Sequence, residues 1–338
     1  MPNHPSPSSS CESATTALSR LWYTRTSPST LPAAKVRTPR TSLSRLSADD
    51  SKTFLYLAYG SNLSAETFKG ARGIQPLSAI NVHVPSLDLT FDLARIPYIE
   101  PCFANTRYRK PASADDYHKD RWQKGLVGVV YEVTPEDYRT IIATEGGGAS
   151  YQDVVVECFV VPDGTKVVDS DPTAASFKAH TLLSPATSKN GRRQRPDPSY
   201  AQASARYLKL ITDGGEEHGL PDDYMAYLYN LRPYTITTAR QRIGLGLIVA
   251  VFMPIGLALI GLGRVLADKN GKIPAWLAKF MGLFFGLVWG VYDGFMKKPF
   301  GDGERTMDGG KDDEERGICR LRWCEKSVRL EGEEGSLR

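Results

Sequence analysis

Cysteine is scarce in this chain: five among 338 residues, at positions 11, 102, 158, 319 and 324. An odd number at such uneven spacing excludes a disulfide framework and a zinc-finger pattern, and points to a reducing compartment. Excess charge is lacking too. With 42 basic against 38 acidic residues and a formal charge of +4, the composition gives no footing for a nucleic-acid partner. The first residues have no apolar run of the length a secretory signal needs. Acids are almost missing from residues 1–48, where Glu12 stands alone against six Lys and Arg amid Ser, Thr, Pro and Ala. Such a stretch cannot bury enough apolar surface to fold, so 1–50 is expected to be a disordered leader. The same composition fits a mitochondrial transit segment, although prolines at 2, 5, 7, 28, 32 and 39 leave room only for a short amphipathic helix.

From Ser51 the texture changes to short apolar runs separated by turn residues, which predict strands at 54–59, 86–93, 126–133 and 151–161. The stretch TPEDYRTIIATEGGG (134–148) carries a compact helix signal that ends at Glu145. Thr134 is its N-cap, Pro135 its first helical residue and Asp137 a capping-box-like partner, with glycines as the stop. Further helices are expected at 198–213 and 221–231, joined by the Gly-rich loop GGEEHG. Strands first and helices mostly later predict an α+β domain over 51–235.

Past Arg242 the sequence IGLGLIVAVFMPIGLALIGLG (243–263) carries no charge. As a helix it would be about 30 Å long, the thickness of a bilayer core, and it is read as a transmembrane helix that tolerates Pro254 at its middle. A second apolar segment, 273–296, holds Trp276, Trp289 and Tyr292 near its ends and is expected to span the membrane or lie at its interface. Gly282, Gly286, Gly290 and Gly294 recur every four residues along one ridge, where another helix could approach closely. Basic residues sit on every flank of both segments, so charge alone leaves the number of spans and their orientation open. Residues 301–338 are mixed in charge, rich in glycine and without periodicity, and are expected to be a disordered tail.

Two features could carry chemistry. The strand at 54–59 stops on Gly60-Ser61-Asn62, where small side chains leave successive backbone N–H groups able to form an anion-binding nest; the same residues also make an ordinary turn. Glu145 stands at a helix C-terminus, whose dipole disfavours its anion, and three glycines follow it. A carboxyl with a raised pKa there could transfer protons; helix-end glutamates are also commonly just solvated. Ser61 lacks the glycine two residues on that a nucleophile elbow needs. His218, with Glu216 and Glu217, does not make a metal site, because adjacent residues do not converge on one ion.

In order along the chain, YLAYGSNL (56–63), GVVYEV (128–133), EGG with Tyr151 (145–151), PSY (198–200) and GLPDDY (219–224) resemble the γ-glutamylcyclotransferase family. The resemblance covers about residues 52–235. It implies a mixed β-barrel with flanking helices, to which a C-terminal transmembrane helix or hairpin is added. It also implies a reaction in which the α-amine of a γ-glutamyl amino acid or peptide attacks its own γ-carbonyl, giving 5-oxoproline and the free amine. On that resemblance Glu145 is the acid/base, Tyr56, Leu57, Ala58, Tyr59, Gly60, Ser61 and Asn62 form the substrate-binding loop, and Tyr151 and Tyr200 stand around the pocket. No metal or organic cofactor is implied. FKAHTLL (177–183) departs from the pattern, offering Phe177 or His180 where a tyrosine is expected, which leaves the leaving-group side open. The expected partners are a small γ-glutamyl compound and a membrane, reached through 243–296 with the catalytic domain on the cytosolic side. The alternative is a non-catalytic membrane-anchored binding or scaffold protein on the same fold.

Overall fold

The computed structural model describes residues 38–48, 52–109, 122–144, 151–184, 194–197, 199–266 and 273–307. The first helical turn, α1, is Leu43–Leu46, and the strand expected at 54–59 is β1, Phe54–Ala58. Strands β2 (Ser78–Val84), β5 (Leu126–Val133), β6 (Gln152–Val160) and β7 (Ser176–Leu183) close a barrel with it in the order β1-β5-β2-β6-β7. The closing contact is parallel, with Tyr56 of β1 opposite His180 of β7. Between β2 and β5 the chain makes a separate ribbon from β3 (Leu87–Ile96) and β4 (Glu100–Tyr108).

β5 lies at the centre of the barrel, which explains its continuous apolar run: only Glu132 in it is not fully buried. Gly128 is required there, because a Cβ would lie 2.5 Å from the Ala58 carbonyl oxygen of the neighbouring strand. Helix α2, Pro135–Thr144, begins as its sequence predicts, with the Asp137 N–H donating to Thr134 Oγ1 at 3.1 Å. Glu145 lies outside the described residues.

The strands that sequence periodicity misses, β2, β4 and β7, bury polar side chains whose partners are distant in the chain. Asn81 of β2 donates from Nδ2 to the carbonyls of His218 (2.8 Å) and Gly219 (3.2 Å), capping a helix end. That helix, α3, spans Ala205–His218 and so replaces both the start and the end of the helix expected at 198–213. Ser204 caps it, Tyr207 N–H donating to Ser204 Oγ at 3.1 Å. Residues 199–204 stay non-helical, because Gln202 N–H is held by the Glu304 carbonyl at 2.8 Å. The GGEEHG stretch is helical rather than a loop up to its last glycine, and Gly219 ends the helix in the left-handed conformation at φ 62°. Helix α4, Asp222–Asn230, follows.

Two long helices then run Ala239–Gly263 and Ala275–Phe300, each long and apolar enough to cross a membrane. They pack through Phe284 against Gly256 and Phe252, and through Ile273 and Leu277 against Gly263. Three of the four ridge glycines take no part among the described residues: a Cβ on Gly286, Gly290 or Gly294 would meet no atom within 4 Å. The ends of both helices nearest the barrel are docked on it. Tyr98, at the tip of the β3–β4 ribbon, is buried with Tyr292 and Ile248, and Trp289 Nε1 donates to the Arg95 carbonyl at 3.0 Å.

Parts of both ends expected to be unstructured, 1–50 and 301–338, are folded. Residues 38–48 pack on the barrel: Thr41 Oγ1 lies 2.8 Å from Ser78 Oγ and Arg45 Nε 2.7 Å from Glu132 Oε1, because these barrel-edge polar groups need partners. Residues 301–307 form a strap beneath the helices. Its Glu304 is 1% exposed and is held by Arg195 at 2.7 Å and Lys297 at 3.0 Å. The rest of both ends, 1–37 and 308–338, lies outside the described residues.

Candidate active site

Beyond Ala58 the chain turns through Gly60 into a single 3-10 turn, Ser61–Leu63, buried throughout. The Leu63 N–H donates back to the Gly60 carbonyl (3.0 Å) and the Ser64 N–H to the Ser61 carbonyl (3.2 Å), so those two donors are spent on the turn itself. Asn62 turns its amide inward and donates from Nδ2 to the Tyr56 hydroxyl at 2.9 Å, while the Tyr59 hydroxyl donates to the Leu182 carbonyl at 2.7 Å. The turn is fixed from behind by α3. A Cβ on Gly214 would lie 2.4 Å from the backbone of Leu63 and Ser64, which is why a weak helix former sits inside this helix. Nearby, the Tyr131 hydroxyl lies 2.7 Å from His218 Nε2. Burial lowers the His218 pKa to about 4, so the imidazole is neutral at physiological pH.

In front of the turn is a cavity of about 170 Å³. Of the residues read from sequence, Tyr56, Tyr59, Gly60, Ser61, Asn62 and Tyr151 line it. Leu57 and Ala58 do not, since both are enclosed in the barrel ladder, Leu57 opposite Val130 and Ala58 opposite Val129. Tyr200 does not either. Its hydroxyl donates to the Asp302 carboxylate of the strap, and Lys297 and Arg305 lie over its ring. Desolvation pushes the Asp302 carboxyl up, but the Tyr200 hydrogen bond, backbone N–H groups and Lys297 outweigh it and hold the pKa below the ordinary value. His180 is drawn to Asp153, with Nδ1 and Oδ1 3.0 Å apart.

The cavity also takes residues that the motifs do not mark: Arg72, Arg95, Phe103 and Tyr207. Tyr207 comes from α3, its hydroxyl accepting from the Ala104 N–H at 3.2 Å and standing 3.1 Å from where a Gly60 Cβ would be. Phe103 stacks on Tyr207 with centroids 4.4 Å apart, and the Arg95 guanidinium lies 4.5 Å from the Phe103 centroid. Arg72 hydrogen-bonds Thr144, the last described residue before Glu145. Among the described residues no Asp or Glu lines the cavity, so its wall is electropositive. No local sequence signal marks the two arginines, because the fold alone brings them together.

The chain belongs to the γ-glutamyl cyclotransferase family. It is 33% identical over 255 residues, 74% of its length and 88% of the relative's, to the γ-glutamyl cyclotransferase gliK of Aspergillus fumigatus. It is 28% identical over 275 residues, 79% of its length and 96% of the relative's, to the γ-glutamyl cyclotransferase aclK of Aspergillus oryzae. A solved γ-glutamyl cyclotransferase superposes with a TM-score of 0.39 at 19% identity, covering 55% of this chain and 92% of its own. No family model matches the chain.

Proposed function

We propose that this protein cyclises the γ-glutamyl group of a γ-glutamyl amino acid or peptide. The α-amine nitrogen attacks the γ-carbonyl carbon, the amide C–N bond breaks, and 5-oxoproline and the free amine leave. Glu145 takes the proton that the α-ammonium must lose and returns it to the departing nitrogen. The observation that carries the reading is a convergence of three separate segments. The Gly60–Asn62 turn lines the cavity, and so do Thr144 and Tyr151, the described residues on either side of 145–150. Glu145 is the next residue in the chain after Thr144. The turn grips the γ-glutamyl group and brings amine and carbonyl to attack distance, the step that ring closure needs most. Replacing Glu145 by Gln is expected to lower 5-oxoproline release about a thousandfold with an unchanged melting temperature. Unchanged turnover would remove Glu145 from the mechanism, and silence of the wild type with every γ-glutamyl compound would favour a scaffold.

The helix pair is proposed to enter a membrane. Phe280, Leu283 and Leu287 of the second long helix are 52%, 72% and 58% exposed, a surface that water would not tolerate as a free patch. The first helix, Ala239–Gly263, has 25 residues and as a helix is about 37 Å long, enough to cross a bilayer core of about 30 Å. The domain is proposed to face the cytosol, with Arg240, Arg242, Lys297 and Lys298 at the docked ends against Arg264, Lys269 and Lys272 between the helices. Full-length protein should resist carbonate extraction; release into the wash would make the pair an interfacial or buried element.

A further inference from the structure

The cavity has a second polar station, set apart from the turn. Arg95 is half-buried and presents one guanidinium face to Phe103. Tyr207 is stacked on the same ring at an interplanar angle of 12°. Two groups cannot share one face of a phenyl ring, so Arg95 stands on the face away from Tyr207. It is therefore a full ring stack beyond the hydroxyl that meets Gly60. It also belongs to a different wall: β3 of the outer ribbon, not β1 of the barrel. Its position is held from outside by the Trp289 indole, which donates to its carbonyl at 3.0 Å. Among the described residues no carboxylate pairs with Arg95, and none lines the cavity. A stacked guanidinium keeps its in-plane N–H donors, which match the two oxygens of a carboxylate.

Resting on the cyclotransferase reading above, we infer that Arg95 is a specificity-determining residue that binds the carboxylate of the leaving group. The favoured substrates are then γ-glutamyl amino acids or peptides with a free carboxylate on the departing amine, rather than γ-glutamyl alkylamines or amides. The γ-glutamyl group's own α-carboxylate stays with the Gly60–Asn62 turn, on the other side of the Phe103–Tyr207 stack.

The test compares γ-glutamyl-alanine with γ-glutamyl-alaninamide, which differ only in the carboxylate of the leaving group, using the full chain. Wild type is expected to prefer the acid by roughly 10- to 100-fold in kcat/KM. Arg95→Met should lose that factor for the acid and leave the amide within about twofold, and Arg95→Lys should fall between. Arg95→Lys also serves as the reporting variant if Arg95→Met does not fold. Equal losses on both substrates would mean that Arg95 serves the shared γ-glutamyl group, and equal wild-type rates that it reads no leaving group. Either result overturns the inference and leaves the cyclotransferase reading standing. Wild-type silence on both substrates overturns that reading and this inference with it.

Discussion

The barrel and the second long helix both use glycine, to opposite ends. A methyl group added to Gly214 would lie 2.4 Å from the backbone of the turn that lines the cavity, whereas one added to Gly286, Gly290 or Gly294 would meet nothing within 4 Å. In the barrel domain glycine permits contacts that fix the site, and their loss has to be felt there. On the helix Gly286, Gly290 and Gly294 leave a smooth ridge that no described residue fills. The two regions are joined at a charged and aromatic junction made by Arg195, Glu304, Tyr98 and Tyr292. Each of these three places can be broken separately.

The largest effect is expected at the junction. Arg195 is held by Glu304 and Asp293, at 2.7 and 2.9 Å, and lies over the Trp289 ring. Arg195→Met leaves Glu304 buried with Lys297 alone, and should cost about 3–4 kcal/mol in a denaturant titration of detergent-solubilised protein. A smaller loss would mean that the helices dock mainly through their apolar faces. Next is Gly214→Ala, for which about 2–3 kcal/mol is expected, together with reduced turnover because the Ser61–Leu63 turn must move. Full activity with full stability would show that α3 can withdraw from the turn.

A pH dependence of about 3 kcal/mol should come from His218. Its pKa falls from 6.5 to about 4 on folding. Above pH 6.5 the ring is neutral in both folded and unfolded chains, and its contribution to stability is complete. Between pH 6.5 and 4 only the unfolded chain takes the proton, so stability declines, and below pH 4 the loss is complete. His218→Gln should flatten that part of the stability–pH curve; an unchanged slope would assign it to another group. The smallest effect belongs to the ridge. Gly286→Ala, Gly290→Ala and Gly294→Ala should each raise helix stability by up to about 1 kcal/mol and leave turnover alone. Weaker self-association in detergent, measured by sedimentation, would show that a second helix uses the ridge.

The parts legible in the sequence are those whose cause is local. β5 is a run of apolar residues because it is covered on both sides, and α2 starts where Thr134 and Pro135 start it. The parts that were not legible depend on distant partners. Asn81 and His83 make β2 look polar, yet both are buried, Asn81 against the end of α3 and His83 against the Lys124 carbonyl. Gly214 and Gly215 look like a loop, yet the helix continues through them, because only glycine at 214 lets it touch the turn and only glycine at 215 makes room for Met225.

The sequence by itself determined the family, through the YGSN strand end and the motifs that follow it in order, and it determined the two apolar segments, since a long apolar run has few other uses. The tertiary structure alone decided what surrounds the turn. It drew Tyr200 away to Asp302, enclosed Leu57 and Ala58 in the barrel, and set Arg72, Arg95 and Tyr207 around one cavity. The physical reason is that a motif records what one segment needs from its own backbone. A cavity is made by side chains from segments far apart in the chain, which only packing brings together.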